Sequence, residues 1–423
     1  MHITPIALGD PPLLNAAGLH APYCLRTVVE LVTDGGLRGI AEVPGGAAID
    51  AALASARHIV VGSDPLNWHA LRARLGDPGS SEAPAARGDK PWDSRSRIQV
   101  YSALDVACLD IQGRAFGVPV AALLGGVLRE RVPYSAYLFY KYEGAGGELG
   151  FGTDPGASGW AGARQRAALD PDGIVEQARA MIAQFGFKSI KLKGGCFEPA
   201  QEVAAVRALR EAFGPGVPLR IDPNAVWSVE TSIKWGREME GILEYLEDPC
   251  RTQEGMAKVR RALKTPLATN MCTTSFADLP ASVAIGSEDI ILADHHFWGG
   301  LRSSMELAAH CRTFGRGVSM HSNSHAGISL AAMTHLGAAM PNLAYALDTH
   351  YPWQQDEIVA GGRLRIEGGF VELPKGAGLG VEIDRAALAR AHEAYRRCGL
   401  TERNDEPEMR KKVPGWTFKQ TRW

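Results

Sequence analysis

Polar and charged residues recur at a nearly constant interval in the second half of the chain. Each of them closes a short apolar run, and neighbours in the series are 23 to 29 positions apart. The series is Lys193, Asp222, Glu247, Asn270, Asp294, His321 and Asp348. Side chains of these types can bind a cation or exchange protons. The spacing therefore predicts a single site assembled from many strand ends.

Three successive members of the series, Asp222, Glu247 and Asn270, offer oxygen ligands. Neighbouring strands lie roughly 4.8 Å apart, so oxygens at three adjoining strand ends can meet at one ion. An oxygen-only ligand set suits a hard cation such as Mg²⁺. The alternative is that each residue caps the helix that follows it, which is a common role for Asp and Asn. Three such residues in succession favour the metal site.

Two lysines, Lys191 and Lys193, stand two positions apart on one candidate strand. Residues two apart point to the same face of a strand. Like charge and burial would lower the pKa of a lysine there, so we expect Lys193, which lies nearer the strand end, to act as a base. The alternative is an exposed lysine pair on an edge strand.

Asp294 and His321 close two later candidate strands. A carboxylate bonded to one ring nitrogen would fix the tautomer of the imidazole and raise its basicity. Ser322 and Asn323 follow directly and suit contacts with substrate hydroxyls, whereas His295 and His296 are interpreted as loop or supporting residues. A cation, a lysine base and a His–Asp pair together predict removal of a proton next to a carboxylate, with dehydration or epimerisation as the outcome.

The elements that must position these residues are helix–strand repeats. Asp170 and Pro171 predict a helix start and Gly186 predicts its end. The candidate strands are 189–193, 219–222, 243–247, 267–270, 290–294, 318–321 and 344–348. A doubly wound sheet would show the same alternation, but polar residues at every strand end favour a barrel, in which all strand ends meet at one mouth.

The first third of the chain has a different pattern. Residues 22–45 predict a hairpin that turns at Asp34-Gly35-Gly36, and residues 94–125 predict helix. We therefore predict an α/β protein made of a modified (β/α)7β TIM-like barrel and an α+β capping domain. The predicted parts are the capping domain at 1–125, the barrel at 126–375 and a C-terminal segment at 376–423 that returns to the capping domain. The eight glycines of 144–162 predict a long loop.

Composition limits the classes of function. The formal net charge of −2 argues against a nucleic-acid binder. No apolar run reaches the roughly 18–20 residues of a membrane span, and the first residues do not resemble a signal peptide. The seven cysteines form no Cys-x-x-Cys pair, which favours reduced thiols over a disulfide framework. We expect a cytoplasmic enzyme of small molecules with no nucleic-acid or membrane partner.

Several sequence blocks resemble the glucarate dehydratase family of the enolase superfamily, in the expected order from about residue 20 to the C-terminus. The matching blocks include Lys191-Leu192-Lys193-Gly194-Gly195, Asp222-Pro223-Asn224-Ala225, Glu247-Asp248-Pro249-Cys250, Ala268-Thr269-Asn270-Met271, Leu292-Ala293-Asp294, His321-Ser322-Asn323, Asp348-Thr349-His350 and Pro414-Gly415-Trp416. Asn270 is especially informative, because most of the superfamily has an acidic third ligand and this family has Asn.

The resemblance implies a Mg²⁺-dependent dehydratase of a sugar diacid, most directly of D-glucarate and its epimer L-idarate. It implies Asp222, Glu247 and Asn270 as Mg²⁺ ligands, with Lys193 and His321–Asp294 as the acid/base groups. His321 would expel the 4-hydroxyl. The residues implied to contact substrate are His20, Tyr137, Lys191, Asn224, Asn323, His350 and Arg422. The superfamily fold is often oligomeric, so we also expect a homo-oligomer.

Three departures from the family pattern leave the substrate open. The segment Arg87-Gly88-Asp89-Lys90-Pro91-Trp92-Asp93 has proline where the family has a substrate-facing hydroxyl residue. His295 replaces a proline, and Gln253 replaces a glutamate that follows Glu247. The alternatives are a dehydratase or epimerase of another acid sugar, or a non-catalytic homologue that binds a metal and a carboxylate.

Overall fold

The computed structural model describes residues 1–76 and 95–423. The N-terminal part contains a three-stranded antiparallel sheet in the order β1-β4-β5, a short hairpin of β2 and β3, and four helices. These elements are β1 (His2–Gly9), β2 (Leu14–Asn15), β3 (Gly18–Leu19), β4 (Tyr23–Val32), β5 (Arg38–Pro44), α1 (Ala47–Val60), α2 (Trp68–Leu75), α3 (Ser96–Phe116) and α4 (Val120–Leu123). The predicted hairpin and the predicted helix are both confirmed.

A large sheet follows, in which seven strands run parallel to their neighbours in chain order from β6 to β12. An eighth, β13, pairs in parallel with β6. The strands are β6 (Arg131–Phe139), β7 (Ile190–Lys193), β8 (Leu219–Asp222), β9 (Tyr245–Glu247), β10 (Leu267–Thr269), β11 (Ile290–Leu292), β12 (Gly317–Ser319) and β13 (Leu347–Asp348), and β14 (Ile366–Glu367) with β15 (Phe370–Glu372) forms an antiparallel extension beside β6.

The contact between β12 and β13 has fewer paired residues than the other strand pairs. It consists of an isolated bridge between Val318 and Leu343 and a hydrogen bond of 3.1 Å from Asp348 N to Met320 O. The eight parallel strands with intervening helices therefore have the order of a (β/α) barrel, as predicted.

Helices alternate with these strands and cover the sheet. They are α5 (Gly159–Ala163), α6 (Pro171–Phe185), α7 (Pro199–Phe213), α8 (Val229–Glu238), α9 (Gln253–Ala262), α10 (Leu279–Ile285), α11 (Leu301–Thr313) and α12 (Gly327–Ala339). Two C-terminal helices, α13 (Arg385–Cys398) and α14 (Glu406–Lys412), pack instead against β1 and β3 of the N-terminal part. The predicted boundaries of α6 are correct: the Asp170 side chain accepts a hydrogen bond from Gly173 N at 2.8 Å, and Gly186 ends the helix with a φ of 72°.

The predicted barrel strands all exist, with two differences. Strands β10, β11 and β12 end one or two residues before Asn270, Asp294 and His321, so these side chains belong to the first residues of loops. Strand β6 was not among the predicted strands, because it ends in Phe139 rather than in a polar residue and so lacked the signal that marked the others.

A buried carboxylate of the N-terminal part, Glu42, caps helix α12 of the barrel. The helix has Ala326 at its N-cap, which cannot accept a hydrogen bond through its side chain. Glu42 Oε1 accepts from Ala326 N at 2.8 Å, and Oε2 accepts from Ser329 N at 3.0 Å. Because the loop that begins with His321 leads into this helix, the contact ties that loop to the N-terminal sheet.

Asp105 of α3 does the same for helix α11. Gly300 is the N-cap of α11 and has no side chain that could satisfy the free N–H groups. Asp105 Oδ2 accepts from Leu301 N at 2.7 Å and from Arg302 N at 3.1 Å. The loop before this helix begins with Asp294, so both loops that carry the predicted His–Asp pair are anchored by N-terminal carboxylates.

The C-terminal segment contacts both parts. Arg385 of α13 donates two hydrogen bonds of 2.6 Å to Glu30 of β4, and Trp423 N donates to Val226 O in the loop after β8. The segment thus returns to the N-terminal sheet, whereas the boundaries at 125 and 375 stay predictions. All seven cysteines are free thiols, as expected. Within residues 1–76 and 95–423, no helix is long and apolar enough to cross a membrane.

Candidate active site

A buried ammonium lies among the carboxylates at the strand ends. Lys191 Nζ is 2.6 Å from Glu247 Oε2, 2.6 Å from Asp348 Oδ2 and 3.9 Å from Asp222 Oδ2. None of these four side chains is exposed to solvent. Burial alone would lower the pKa of Lys191, but the carboxylates outweigh it and raise that pKa well above its usual value. The like charge of Lys193, which was expected to lower the pKa of a lysine in this pair, therefore does not decide the pKa of Lys191.

Lys193 and Asn224 both contact Asp222 at the end of β8. Lys193 Nζ donates to Asp222 Oδ2 at 2.5 Å, and Asn224 N donates to Asp222 Oδ1 at 2.8 Å. Burial opposes the ionisation of Asp222, but Lys193 and Lys191 lower the pKa of that carboxyl to about 2. Asn224 Oδ1 is buried without a hydrogen-bond partner within the described part of the chain. It is an acceptor that a substrate hydroxyl could use.

Glu247 and Asn270 adjoin at the ends of β9 and β10. Asn270 Nδ2 donates to Glu247 Oε1 at 2.7 Å. The backbone N–H of Asn270 donates to Asp248 Oδ2 at 2.8 Å, which holds the start of the Asn270 loop against the preceding strand end. Burial raises the pKa of Glu247 well above its usual value, and the neighbouring Asp222 and Asp348 add to this effect.

The set Asp222, Glu247 and Asn270 fits a hard divalent cation. Two fully buried carboxylates and an amide converge here, and the charged form of Glu247 is disfavoured by burial unless a cation compensates it. Oxygen, not the amide nitrogen, is the ligand for such an ion, so binding would require the Asn270 amide to turn its Oδ1 towards Glu247.

Asp294 lies between two imidazoles. His321 Nδ1 donates to Asp294 Oδ2 at 3.2 Å, and His296 Nδ1 is 2.8 Å from Asp294 Oδ1. Burial opposes the ionisation of Asp294, but the two imidazoles hold its pKa well below the usual range. The structure thus brings the predicted His–Asp pair together. It also gives His296 a direct contact with the pair, which the sequence reading had left as a general supporting role.

Aromatic rings line the site between β6 and β13. The ring of Tyr137 lies 4.6 Å from Lys191 Nζ and 4.7 Å from the ring of His350. Phe139 contacts the same histidine at 5.0 Å. His350 N donates to Ser322 Oγ at 3.1 Å, which connects this wall to the loop that begins with His321.

A second cluster of charged side chains forms where the two chain ends meet. Arg403 Nη2 lies 3.0 Å from His20 Nε2, and His20 Nδ1 lies 2.8 Å from Asp10 Oδ2. A guanidinium can only donate, so His20 Nε2 accepts from Arg403 and Nδ1–H donates to Asp10. The same Nη2 donates to Asp405 Oδ2 at 2.9 Å. His20 lies 6.2 Å from Phe139, measured between ring centroids, so the cluster borders the aromatic wall.

Arg403 was missed by the sequence reading, which named Arg422 instead. Arg422 donates to Ala16 O at 3.0 Å and to Gly195 O at 3.4 Å. It therefore holds the tail against the loop that follows Lys193, and its contact with substrate stays a prediction. A signal for Arg403 was lacking because it lies in a polar, irregular stretch without periodicity.

The structure describes the surroundings of two of the three departures from the family pattern, Gln253 and His295. The Gln253 amide donates to Thr273 Oγ1 at 2.9 Å and to Asp278 O at 3.1 Å, at the start of α9. His295 is buried beside His296, with ring centroids 3.8 Å apart. The segment 87–93 with Pro91 lies outside the described residues. The exposed fraction of Asn323 is intermediate, and its carbonyl accepts from Ser322 Oγ at 3.0 Å.

A parallel barrel with buried carboxylates, lysines and a His–Asp pair at its mouth defines a class of proton-abstracting enzymes that use a divalent cation. Comparisons with known proteins identify the family. Residues 173–387 match the family model described as enolase C-terminal domain-like. The chain is 45% identical to a probable glucarate dehydratase of Streptomyces coelicolor, over 100% of this chain and 98% of that protein.

Solved structures agree with this match. An enolase from Thermobispora bispora, complexed with magnesium and formate, is 50% identical with a TM-score of 0.92 over 100% of this chain and 98% of that one. An enolase from Mycobacterium smegmatis, complexed with tartrate, is 49% identical with a TM-score of 0.89 over 100% and 97%. The chain belongs to the glucarate dehydratase family of the enolase superfamily. It is an acid-sugar dehydratase, that is, a hydro-lyase acting on a small molecule.

Proposed function

We propose that this enzyme dehydrates D-glucarate, and its epimer L-idarate, to 5-dehydro-4-deoxy-D-glucarate. The observation that carries the choice of a diacid is the guanidinium of Arg403 in the second charged cluster. Arg403 and His20 border the same aromatic wall as the predicted metal ligands, and a guanidinium binds a carboxylate well. The related enzyme from Mycobacterium smegmatis was crystallised with tartrate, which is itself a hydroxylated dicarboxylate.

Mg²⁺ is the proposed cofactor, with Asp222, Glu247 and Asn270 as its protein ligands. When bound, it stabilises the negative charge that develops on the substrate carboxylate as the neighbouring proton leaves. The related enzyme from Thermobispora bispora was crystallised with magnesium.

The chain's own groups would transfer the protons. Lys193 ends β7 and His321 follows β12, and these two strands are not neighbours, so each group can serve one of the two epimers at C5. One of them takes the proton from C5, and His321 gives a proton from Nε2 to the departing C4 hydroxyl, which leaves as water. Asp294 holds His321 in the required tautomer. The enol that results becomes the 5-keto product by taking up a proton at C4.

The remaining predicted residues would bind the substrate. Lys191 and Asn224 would contact it beside the metal ligands, and the unpartnered Oδ1 of Asn224 supports a hydroxyl there. The other proposed contacts, beside Arg403, are His20, Tyr137, Ser322, Asn323, His350 and Arg422.

The test is a panel of acid sugars with Mg²⁺, with detection of the 2-keto acid product. We expect turnover of glucarate, and loss of it in the Lys193→Ala and His321→Ala variants but not in the exposed controls Lys188→Ala and His58→Ala. Product from another acid sugar and none from glucarate would overturn the proposed substrate. The absence of product from every acid sugar in the panel would overturn the proposed reaction.

The Arg403→Met variant tests whether Arg403 binds the second carboxylate of a diacid substrate. Loss of a hydrogen bond to a charged group is worth about 1.5–3 kcal/mol, so kcat/KM for glucarate should fall by roughly 10- to 100-fold. The same variant should have little effect on any turnover of gluconate, which has only one carboxylate. An equal loss with both sugars would contradict this role for Arg403.

We also propose that the protein is a cytoplasmic homo-oligomer. Light scattering coupled to size-exclusion chromatography tests the assembly, and a monomer at micromolar concentration would overturn it. Fractionation of the source cells tests the compartment.

A further inference from the structure

Three consecutive residues beside the His321–Asp294 pair have the geometry of a second metal site. Asp294, His295 and His296 each offer one ligand atom, and these atoms all lie within 4.8 Å of one another. All three side chains are buried. None of them is among the oxygen ligands assigned to Mg²⁺.

His295 has nitrogens that nothing in the fold uses. Both ring nitrogens are buried and make no hydrogen bond within residues 1–76 and 95–423. The acidic atom closest to Nδ1 in this cluster is Asp294 Oδ1, at 3.9 Å. An unsatisfied buried polar group costs about 1–3 kcal/mol, so this imidazole has a reason to bind something. Burial, and then the neighbouring His296, hold the pKa of His295 well below its usual value, which keeps the ring in the neutral form that metals bind.

We propose that Asp294, His295 and His296 form a site for a transition-metal ion of the Zn²⁺ class, and that occupation of this site inhibits the enzyme. Two imidazole nitrogens and one carboxylate oxygen are a common ligand set for Zn²⁺, which then keeps a fourth position open. Mg²⁺ prefers oxygen ligands throughout. The two sites therefore select different ions.

Inhibition follows from the contacts of Asp294. Its Oδ1 faces His296 Nδ1 at 2.8 Å, and its Oδ2 holds His321. An ion bound to Oδ1 and to His296 Nδ1 takes the place of the hydrogen between them, and in a neutral imidazole that hydrogen moves to Nε2, where Glu42 O at 3.1 Å can accept it. The ion also neutralises the carboxylate that supports a protonated His321. Arg26 lies 3.2 Å from His296 Nε2, and its charge opposes the ion, so we expect binding that a chelator reverses.

The test uses the full-length enzyme saturated with Mg²⁺ and titrated with ZnCl₂. Bound zinc is counted by metal analysis, and its ligands are identified by X-ray absorption at the zinc edge. Histidine ligation distinguishes this site from the Mg²⁺ site, whose ligands include no histidine, and its loss in His295→Phe assigns it to Asp294, His295 and His296. We expect one zinc per chain with imidazole ligands.

Matched variants separate the site from other zinc effects. His295→Phe keeps an aromatic ring beside His296 and removes both ring nitrogens of His295, without losing a hydrogen bond. It should weaken zinc binding and zinc inhibition by at least about tenfold while activity with Mg²⁺ alone is kept. His310→Phe is the control, since His310 also has a buried nitrogen without a partner in the described part of the chain but lies against Phe314 in α11. The His310→Phe variant should leave zinc binding and zinc inhibition unchanged.

Two results would overturn the proposal: zinc bound to Mg²⁺-saturated enzyme without histidine ligands, or equal zinc affinity in the wild type and in His295→Phe. If His295→Phe fails to fold, the ligand measurement on the wild type decides alone. These binding measurements do not depend on which acid sugar is the substrate. A failure of the proposed function would therefore be distinguishable from a failure of the zinc site.

Discussion

Glu42→Gln is the substitution that best tests how the N-terminal part controls the active site. The change keeps the shape of the side chain and removes its charge. Glu42 accepts from Arg26 Nε at 2.8 Å and from the first N–H groups of α12, and the Glu42 and Arg26 side chains are almost fully buried. The variant therefore leaves the Arg26 charge without its anion inside the protein.

The magnitude follows from two effects. Breaking a buried ion pair by removing one partner costs about 3–5 kcal/mol. The amide nitrogen of glutamine must also face a donor, Ser329 N or the N–H of Ala326, which costs about 1–3 kcal/mol. Arg26 keeps its contacts with His296 and Ser329 Oγ, which recovers part of this loss. We expect the free energy of unfolding to fall by about 3–5 kcal/mol in total.

The assay is urea unfolding without Mg²⁺, extrapolated to water. The control is Glu238→Gln, which removes an exposed ion pair with Arg207 and should cost less than about 1 kcal/mol. Addition of Arg26→Met to Glu42→Gln removes the stranded charge and should recover stability. A cost below about 1 kcal/mol for Glu42→Gln, or no recovery in the double variant, would refute the reasoning.

The pH dependence of this penalty has a definite sign. Burial opposes the ionisation of Glu42, but Arg26, His325 and the two backbone N–H groups lower its pKa below 4.5. A lowered carboxyl pKa contributes stability that is present above pH 4.5 and is lost as the pH falls through the folded value. The difference between the wild type and Glu42→Gln should therefore shrink below pH 4.5, and a difference that grows with acid would contradict it.

Three further predictions concern buried groups away from the metal ligands. Burial lowers the pKa of His335 from 6.5 to about 4, so the free energy of unfolding should fall by about 3 kcal/mol as the pH drops across that window. The His335→Gln variant should take up one proton fewer than the wild type when it unfolds within that window. Burial raises the pKa of Glu202 from 4.5 to about 7, so its contribution has the opposite sign and stability should fall as pH rises across that window; titration of Glu202→Gln checks this. Lys141 Nζ donates to four backbone carbonyls within 142–166; Lys141→Met should cost about 2–4 kcal/mol and should speed hydrogen exchange in that segment, and unchanged exchange would contradict it.

Much of the barrel could be predicted because it is locally encoded. The apolar runs and the polar residue after each run follow from the requirement that a strand be buried along its length and open at one end. The ligand set and the His–Asp pair could be named for the same reason, since they occupy equivalent places in successive repeats. Strand β6 was missed because its end carries Phe139, an aromatic wall residue, in place of a polar group.

The contacts that decide electrostatics could not be predicted, because they join residues that are far apart in the chain. Local reasoning paired Lys191 with Lys193 and expected a lowered pKa. The fold surrounds Lys191 with carboxylates from three other strands, which reverses the sign. Likewise, no local pattern indicates that Glu42 caps a helix 284 positions away.

The cluster around His20 and Arg403 shows the same limit at the chain ends. The family resemblance implied that His20 and Arg422 both contact substrate. In the fold, Asp405 holds Arg403 against His20, while Arg422 is occupied by two backbone carbonyls. Sequence reasoning could thus predict that the C-terminal segment returns to the N-terminal part. Which guanidinium lies beside His20 depends on the register of an irregular segment, and only packing determines that register.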